Sequence, residues 1–164
     1  MARTLAEFSR DQGLALSRFA YLVSGDRQRG EDLVQDVLLA MYRRFGDDLP
    51  LDNPTAYARR AVVNANISWA RRAASGELAV DAVLETPAPA DGHDPAERDA
   101  LWQALRRLPA RQRTALVMRY YLDATDLDIA DALDCRRGTV RSLVSRGLET
   151  LRNDTSLDLD GVTS

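Results

Sequence analysis

A cluster of arginines near the end of the chain contains the residues best suited to chemistry. From Cys135 to Arg152 there are five arginines and one acid, Glu149, for a local net charge of +4. Helical spacing puts seven polar residues on one face: Arg136, Arg137, Thr139, Arg141, Ser142, Ser145 and Arg146. Arginine pairs with guanine edges and with phosphates in the major groove, so this face suits duplex DNA. A solvated helix surface is the plainer interpretation, because arginine-rich faces are common.

Two short helices joined by a turn must position this face. Thr125 is a good N-cap for the first helix, because its hydroxyl can accept a hydrogen bond from an orphan amide. Asp134 marks the turn, where the backbone tends towards φ > 0 and Asp is among the few alternatives to Gly. Apolar stripes at helical spacing are formed by Ile129, Ala130 and Leu133, then by Val140, Leu143, Val144, Leu148 and Leu151. The pattern predicts a helix-turn-helix whose second helix turns its arginines outward.

Composition limits the classes of protein that fit. The 164 residues carry a net charge of −3, with 45% hydrophobic residues, one cysteine and one histidine. An internal disulfide or a Cys/His metal cluster is therefore excluded, and Cys135 falls on a predicted core position. No apolar run approaches the ~20 residues of a membrane span, and no secretory signal is recognisable. Without a phosphate-binding glycine loop or a Ser/His/Asp set, we expect a cytoplasmic protein that is not an enzyme and needs no cofactor or metal.

Apolar periodicity predicts an all-α protein. The first part of the chain is expected to form three helices, over about 6–23, 26–45 and 54–74. The second of these helices should bury Leu33, Val34, Val37, Leu38, Met41 and Phe45. Its other faces carry polar side chains, for which spacing alone favours simple solvation: Asp32, Gln35 and Asp36. The segment DDLPLDNPT is expected to be a loop. Two helices should precede the helix-turn-helix and bury Ala100, Leu101, Leu105, Leu108, Leu116, Val117 and Tyr120.

The third predicted helix is a second candidate nucleic-acid surface. From Tyr57 to Arg72 it contains no acid, and its polar residues include Arg59, Arg60, Asn64, Asn66 and Arg71. Aromatic side chains can stack on unpaired bases while arginines follow the backbone. The alternative is that Tyr57 and Trp69 are core residues, and for Trp69 this is the favoured interpretation.

Charge is unevenly distributed along the chain. Residues 1–72 carry a net +2, residues 73–100 a net −6 and residues 101–164 a net +1. The acidic stretch 75–95 is rich in Ala, Pro and Gly, which predicts a linker between two small helical domains. We expect these domains to span 1–74 and 96–152, with a disordered tail over 153–164.

Three segments, in order, resemble the extracytoplasmic-function group of sigma-70 family RNA polymerase sigma factors. One segment resembles the region 2 helix that docks on core polymerase: GDRQRGEDLVQDVLLAMYRRF. A second segment resembles the following helix, which engages the −10 element: DNPTAYARRAVVNANISWARR. A third segment resembles region 4, which reads the −35 element: LPARQRTALVMRYYLDATDLDIADALDCRRGTVRSLVSRGLETLR. The likeness covers about 14–152, and, as in that group, we expect neither an N-terminal autoinhibitory region nor a region 3 domain.

The resemblance implies three sets of binding residues. Asp32, Gln35 and Asp36 match the motif that binds the β′ clamp helices of core polymerase, which replaces the interpretation as a solvated face. The loop 47–53 matches the segment that captures a flipped base of the non-template strand. The −10 residues implied are Asp52, Asn53, Arg59, Arg60 and Asn64. The −35 residues implied are Arg136, Arg137, Thr139, Arg141, Ser142, Ser145 and Arg146.

Partners also follow from the resemblance: core RNA polymerase through the β′ clamp helices and the β flap, promoter DNA, and an anti-sigma factor as a further candidate. The acidic linker matches the segment that the family threads through the RNA path of the polymerase. The sequence departs from the family at Asp134, where Gly is usual, and at Arg136 and Arg137, where a Ser cap and a Val are more usual. Two other classes stay open, a stand-alone helix-turn-helix regulator and a helical adaptor that never touches DNA.

Overall fold

The computed structural model describes residues 3–76 and 95–154. The chain divides into two compact units, Met1–Leu84 and Glu85–Ser164, so the division falls inside the predicted linker. The first unit contains β1 (Arg3–Thr4), α1 (Leu5–Ser24), α2 (Arg27–Phe45), β2 (Asp48–Leu49) and α3 (Pro54–Ala74). The second contains α4 (Pro95–Arg107), α5 (Ala110–Tyr120), α6 (Asp126–Leu133) and α7 (Arg137–Arg152). The all-α expectation is confirmed.

Local capping explains where the helices of the first unit begin and end. The Thr4 hydroxyl accepts a hydrogen bond from the Glu7 amide at 3.1 Å, and the Glu7 carboxylate accepts one from the Thr4 amide at 3.0 Å. This capping box satisfies two amides that the first turn leaves without partners. At the other end, Gly25 adopts φ 76° and stops α1. Asp26 then caps α2 by accepting from the Arg29 amide at 3.0 Å.

The core of the first unit lies where α1 meets α2 and α3. Its fully buried side chains include Phe8, Phe19, Met41, Val62 and Val63. At Gly30 the backbones of α2 and α1 approach closely, because a Cβ added there would lie 2.9 Å from the Tyr21 amide nitrogen. The predicted buried stripe of α2 is confirmed at four positions, whereas Leu38 and Phe45 are only half-buried.

A small antiparallel sheet was absent from the sequence prediction. Arg3 pairs with Leu49 and Thr4 with Asp48. The Leu5 amide adds a hydrogen bond to the Asp47 carbonyl at 2.8 Å, and Leu49 is buried. The segment predicted to be a loop is therefore tethered at its start. Two-residue strands are too short to produce the alternation by which strands are recognised in a sequence.

The second unit has its own core, built from Trp102, Leu116, Ile129, Val140 and Leu151. The predictions that Leu101 and Tyr120 are buried were wrong, since 38% and 63% of these side chains are exposed. On α4 Trp102 is buried instead, one position after the predicted Leu101. On α5, Tyr120 is the last helical residue, beyond the stretch that packs on the neighbouring helices.

Two buried polar residues of this unit, Arg113 and Thr114, donate hydrogen bonds to backbone carbonyls. The Arg113 guanidinium donates hydrogen bonds at 3.1 Å to the carbonyls of Arg106 and Leu108, where α4 ends. After α7, Asp154 pairs with Arg107 at 3.0 Å. Most of the predicted linker (77–94) and most of the predicted tail (155–164) lie outside the described residues. Among the helices described, none is both long and apolar enough to cross a membrane.

Candidate nucleic-acid interface

The helix-turn-helix is formed by α6 and α7, as predicted. The Thr125 hydroxyl accepts from the Asp128 amide at 3.1 Å, and the Asp128 carboxylate accepts from the Thr125 amide at 3.2 Å. Asp134 adopts φ 51°, the left-handed conformation that the turn requires. The Cys135 amide then donates to the Ala130 carbonyl at 3.0 Å, which closes the end of α6. Cys135 itself is half-buried, so it fills the expected core position only in part.

The second helix of the motif is held by both of its neighbours. Val140 is fully buried, while the predicted docking residue Leu143 is half-buried. The backbone of α7 approaches α5 at Gly147, where an added Cβ would lie 2.8 Å from the Leu116 Cδ1. Arg111 of α5 donates to the Leu133 carbonyl at 3.3 Å and so links α5 to the end of α6. Because α7 is packed on two sides, its outer face has a fixed orientation within this unit.

That outer face carries every residue predicted to bind the −35 element. All seven are exposed: Arg136, Arg137, Thr139, Arg141, Ser142, Ser145 and Arg146. A helix that buries one side and presents arginines and hydroxyls on the other has the shape and charge to enter a major groove. Their contact with DNA stays a prediction.

A carboxylate that was not among the predicted site residues lies beside this face. Asp126, in the first turn of α6, accepts from the Arg141 Nε at 3.4 Å and forms an ion pair with Arg119 of α5. The sequence does not indicate this arrangement, because the three residues lie on three helices. Helical periodicity places residues only within one helix and gives no signal for such a contact.

The candidate −10 surface consists of the loop after β2 and the first turns of α3. Asp52, Asn53, Arg60 and Asn64 are exposed, and Arg59 is half-exposed. The side-chain Oδ1 of Asn53 caps α3 by accepting from the Ala56 amide at 3.1 Å, which leaves its Nδ2 for other partners. Arg60 and Asn64 are four residues apart, so they lie on the same face of the helix.

Asn66 does not belong to this surface, contrary to the sequence interpretation. It is fully buried, and its Nδ2 donates to the Val23 carbonyl of α1 at 2.9 Å. Its Oδ1 has no hydrogen-bond partner among the residues described. The residue therefore links α3 to α1 instead of facing solvent.

The two aromatic residues of α3 are both engaged within the first unit. Tyr57 is half-buried and packs edge-on against Phe45, with ring centroids 5.5 Å apart. Trp69 is half-buried, and the Arg29 guanidinium carbon lies 3.7 Å from its ring centroid. Arg29 also donates to the Ser24 carbonyl, so it joins the start of α2 to the end of α1 as well as to α3. The interpretation of Trp69 as a core residue is confirmed only in part.

A third surface lies on the exposed side of α2. Asp32, Gln35 and Asp36 are all exposed, and Asp32 accepts from the Gln28 side chain at 3.1 Å. The same stripe continues to Leu39 and Tyr42, which are 47% and 51% exposed. These two residues were not among the predicted site residues, although neither fits the buried stripe of α2. Acidic and apolar groups side by side suit a protein partner better than DNA.

Comparisons with known proteins agree with this organisation. Residues 11–76 match the family model for Sigma-70 region 2, and residues 98–151 match that for Sigma-70, region 4. The chain is 30% identical over 155 residues to an RNA polymerase sigma-E factor of Streptomyces coelicolor, which covers 94% of this chain and 88% of the relative. It is 33% identical over 133 residues to the ECF RNA polymerase sigma factor SigM of Mycobacterium tuberculosis, covering 80% of this chain and 66% of the relative.

A solved structure extends the likeness to the fold. The sigma factor RpoE of Bartonella quintana, crystallised in complex with the anti-sigma factor NepR, matches with a TM-score of 0.66 and 27% identity. The match covers 90% of this chain and 98% of that one. These likenesses involve both units, whereas a stand-alone helix-turn-helix regulator needs only the second, so that alternative is not favoured. The chain belongs to the sigma-70 family of RNA polymerase sigma factors, in its extracytoplasmic-function group.

Proposed function

We propose that this protein binds core RNA polymerase, directs it to specific promoters and helps to open the −10 element. The observation that carries the proposal is the outer face of α7, where all seven polar residues are exposed while the opposite side is buried. The net charge of −3 fits a subunit that binds DNA tightly only in complex with polymerase. The chemistry of RNA synthesis stays with the polymerase, and the protein acts in the cytoplasm.

The two domains divide the task. Residues 1–74 bind core polymerase and the −10 element, residues 96–152 bind the −35 element, and the acidic stretch 75–95 joins them through the RNA path. Asp32, Gln35 and Asp36 contact the β′ clamp helices, with Leu39 and Tyr42 extending that face. The second domain also contacts the β flap.

At the −10 element, the loop before α3 receives a base flipped out of the opened strand. Extruding a base costs a few kcal/mol of stacking, so the protein must offer compensating contacts. Asp52 and Asn53 lie in the loop, which is held by β2 at one end and by the Asn53 cap at the other. Beyond it, Arg59, Arg60 and Asn64 follow the strand along α3.

At the −35 element, α7 enters the major groove. Base edges and phosphates are divided among Arg136, Arg137, Thr139, Arg141, Ser142, Ser145 and Arg146. An anti-sigma factor is a further partner, a proposal supported by the complex in which the similar protein from Bartonella quintana was solved.

Transcription in vitro tests the proposed function. Core polymerase with this protein should start RNA at a promoter that core polymerase alone ignores, and that promoter can be found by mapping transcript starts after overexpression. Initiation that does not depend on the added protein would contradict the proposal. Salt-sensitive binding of the isolated chain to the same duplex, without any effect on polymerase, would favour a stand-alone regulator.

Docking on core polymerase can be tested separately. Asp36→Arg places a positive charge in the middle of the acidic stripe of α2 and should weaken the affinity for core polymerase. The protein should stay folded, because position 36 lies on an exposed helix surface. Asp11→Arg is the matched control, because Asp11 is an exposed acid of α1 that forms a surface ion pair with Arg3 at 3.3 Å, and such pairs contribute little to stability. Equal affinities of the two variants would contradict the docking assignment.

A further inference from the structure

The contact between Asp126 and Arg141 joins the outer face of α7 to the start of α6. The Asp126 carboxylate accepts from the Arg141 Nε at 3.4 Å, and its other oxygen pairs with the Arg119 Nη2. One carboxylate thus connects side chains from α5, α6 and α7.

The three side chains are not equally accessible. The exposed fractions are 26% for Asp126 and 33% for Arg119, compared with 71% for Arg141. The ion pair between Asp126 and Arg119 is therefore partly shielded from solvent. Its attraction is screened less than that of a fully exposed ion pair. Arg141, by contrast, extends into solvent on the face that meets DNA in the proposed complex.

The atoms involved matter for recognition. A guanidinium has five N–H donors, and Asp126 meets only the one on Nε. The four N–H groups on Nη1 and Nη2 form the end that can contact guanine O6 and N7 or a phosphate. A carboxylate at the Nε edge thus restrains the side chain without occupying its recognition end. Such pre-organisation reduces the rotamer entropy lost on binding.

We propose that Asp126 is a positioning residue for base recognition: it fixes the direction of Arg141, and Arg119 in turn fixes Asp126. The inference rests on the proposed function, in which the outer face of α7 contacts the −35 element, and it assigns to Arg141 the reading of a base there.

Removing the carboxylate has two opposite consequences. Arg141 becomes free to sample other rotamers, so discrimination between bases falls. At the same time a negative charge near the DNA disappears, so sequence-independent attraction to phosphates rises. A residue that only supported the fold would lower both quantities together when replaced, which makes the combination a specific signature of positioning.

The experiment uses holoenzymes reconstituted from core polymerase and full-length wild type, Asp126→Asn, Arg141→Ala or the double variant. Each binds a duplex promoter pool randomised across the −35 element, and sequencing of bound and unbound DNA gives the preference at each base pair. Arg141→Ala should lose about tenfold in preference at one position. Asp126→Asn should lose about threefold to tenfold at the same position while total retention of the pool rises. In the Arg141→Ala background, Asp126→Asn should change that preference no further.

Asp131→Asn is the control, because Asp131 is an exposed carboxylate of the same helix and should leave the preferences unchanged. If Arg141→Ala lowers the preference and Asp126→Asn does not, the positioning role is overturned while the proposed function survives. If Arg141→Ala changes no position, the base-reading role of Arg141 fails and the inference fails with it. Should Asp126→Asn unfold the second domain, Arg119→Gln provides the test, with about a twofold loss expected at the same position.

Discussion

The two arginine-bearing helices, α3 and α7, use similar residues in different ways. On α7 the polar side chains of the predicted recognition face all lie outside, and the buried positions are Val140, Val144, Gly147 and Leu151. On α3 the buried positions include Asn66, between the apolar residues of the core. A positive helix is therefore not a uniform polar surface. Which of its polar residues face outward depends on the helices that pack against it.

The difference between the two helices has a physical origin. Asn66 is retained inside because its amide bonds to the carbonyl of Val23, close to the end of α1. A buried polar group is tolerated when it is hydrogen-bonded and is costly when it loses that partner. The inward position of Asn66 thus ties the first domain together, whereas the exposed Asn64 is available for DNA.

The largest effect is expected at this pair of asparagines. Asn66→Ala removes the hydrogen bond to Val23 and leaves a cavity, so it should lower the free energy of unfolding by about 2–4 kcal/mol. Asn64→Ala, on the exposed side of the same helix, should change it by less than about 0.5 kcal/mol. Chemical denaturation of both variants measures the contrast, and equal losses would mean that the two faces of α3 are wrongly assigned.

A second contrast concerns the close helix contacts in each domain. Gly30→Ala should destabilise the first domain by about 1–3 kcal/mol, because the new methyl group meets the backbone of α1. Gly147→Ala should change the second domain by less than about 1 kcal/mol, since the atom it meets is the end of the Leu116 side chain and alanine favours the helix. Thermal unfolding of the two variants tests this order, which the reverse ranking would contradict.

The two capping boxes offer a third comparison. Thr4→Ala and Thr125→Ala should each cost about 1 kcal/mol, while Thr→Ser at either site keeps the cap. Only Thr125→Ala should also reduce preference at the −35 element, because it loosens the eight-residue α6 that carries Asp126. Denaturation and promoter selection together measure both parts. A loss of −35 preference in Thr4→Ala would argue against separate domains.

The smallest effect is a dependence on pH at Glu7. The Thr4 backbone amide and then its hydroxyl hydrogen-bond to Glu7, which lowers the pKa of this carboxyl from its ordinary value of 4.5. A lowered pKa in the folded state stabilises the protein above pH 4.5, and this contribution disappears as the pH falls through the folded pKa. The stability difference between wild type and Glu7→Gln should accordingly be present at neutral pH and shrink below pH 4.5. A difference that does not vary with pH would contradict this origin.

The sequence predicted most of the helical framework because its signals are local. Capping residues such as Thr125, Asp26 and Asn53, together with apolar periodicity, act within one or two turns and define helix ends directly. The outward face of α7 followed from the same periodicity. The conformation of Asp134 followed from its tolerance of φ > 0.

What could not be predicted depends on contacts between helices. The burial of Asn66, the exposure of Tyr120 and the ion pairs of Asp126 are set by which helix lies opposite, and a single sequence carries no signal for that. The strand pair at Leu49 was missed for a related reason, because its partner, Arg3, lies far from it in the sequence, near the start of the first domain.

The central claim is that two domains recognise separate promoter elements on polymerase, and one paired measurement tests it most directly. Promoter retention and permanganate reactivity of thymines in the −10 element should be followed for two holoenzymes. One carries Arg137, Arg141 and Arg146 changed to Glu, and the other carries Arg60→Ala with Asn64→Ala. We predict that the first fails to retain the promoter, and that the second retains it but opens it poorly. Unchanged promoter retention by the glutamate variant would contradict the account.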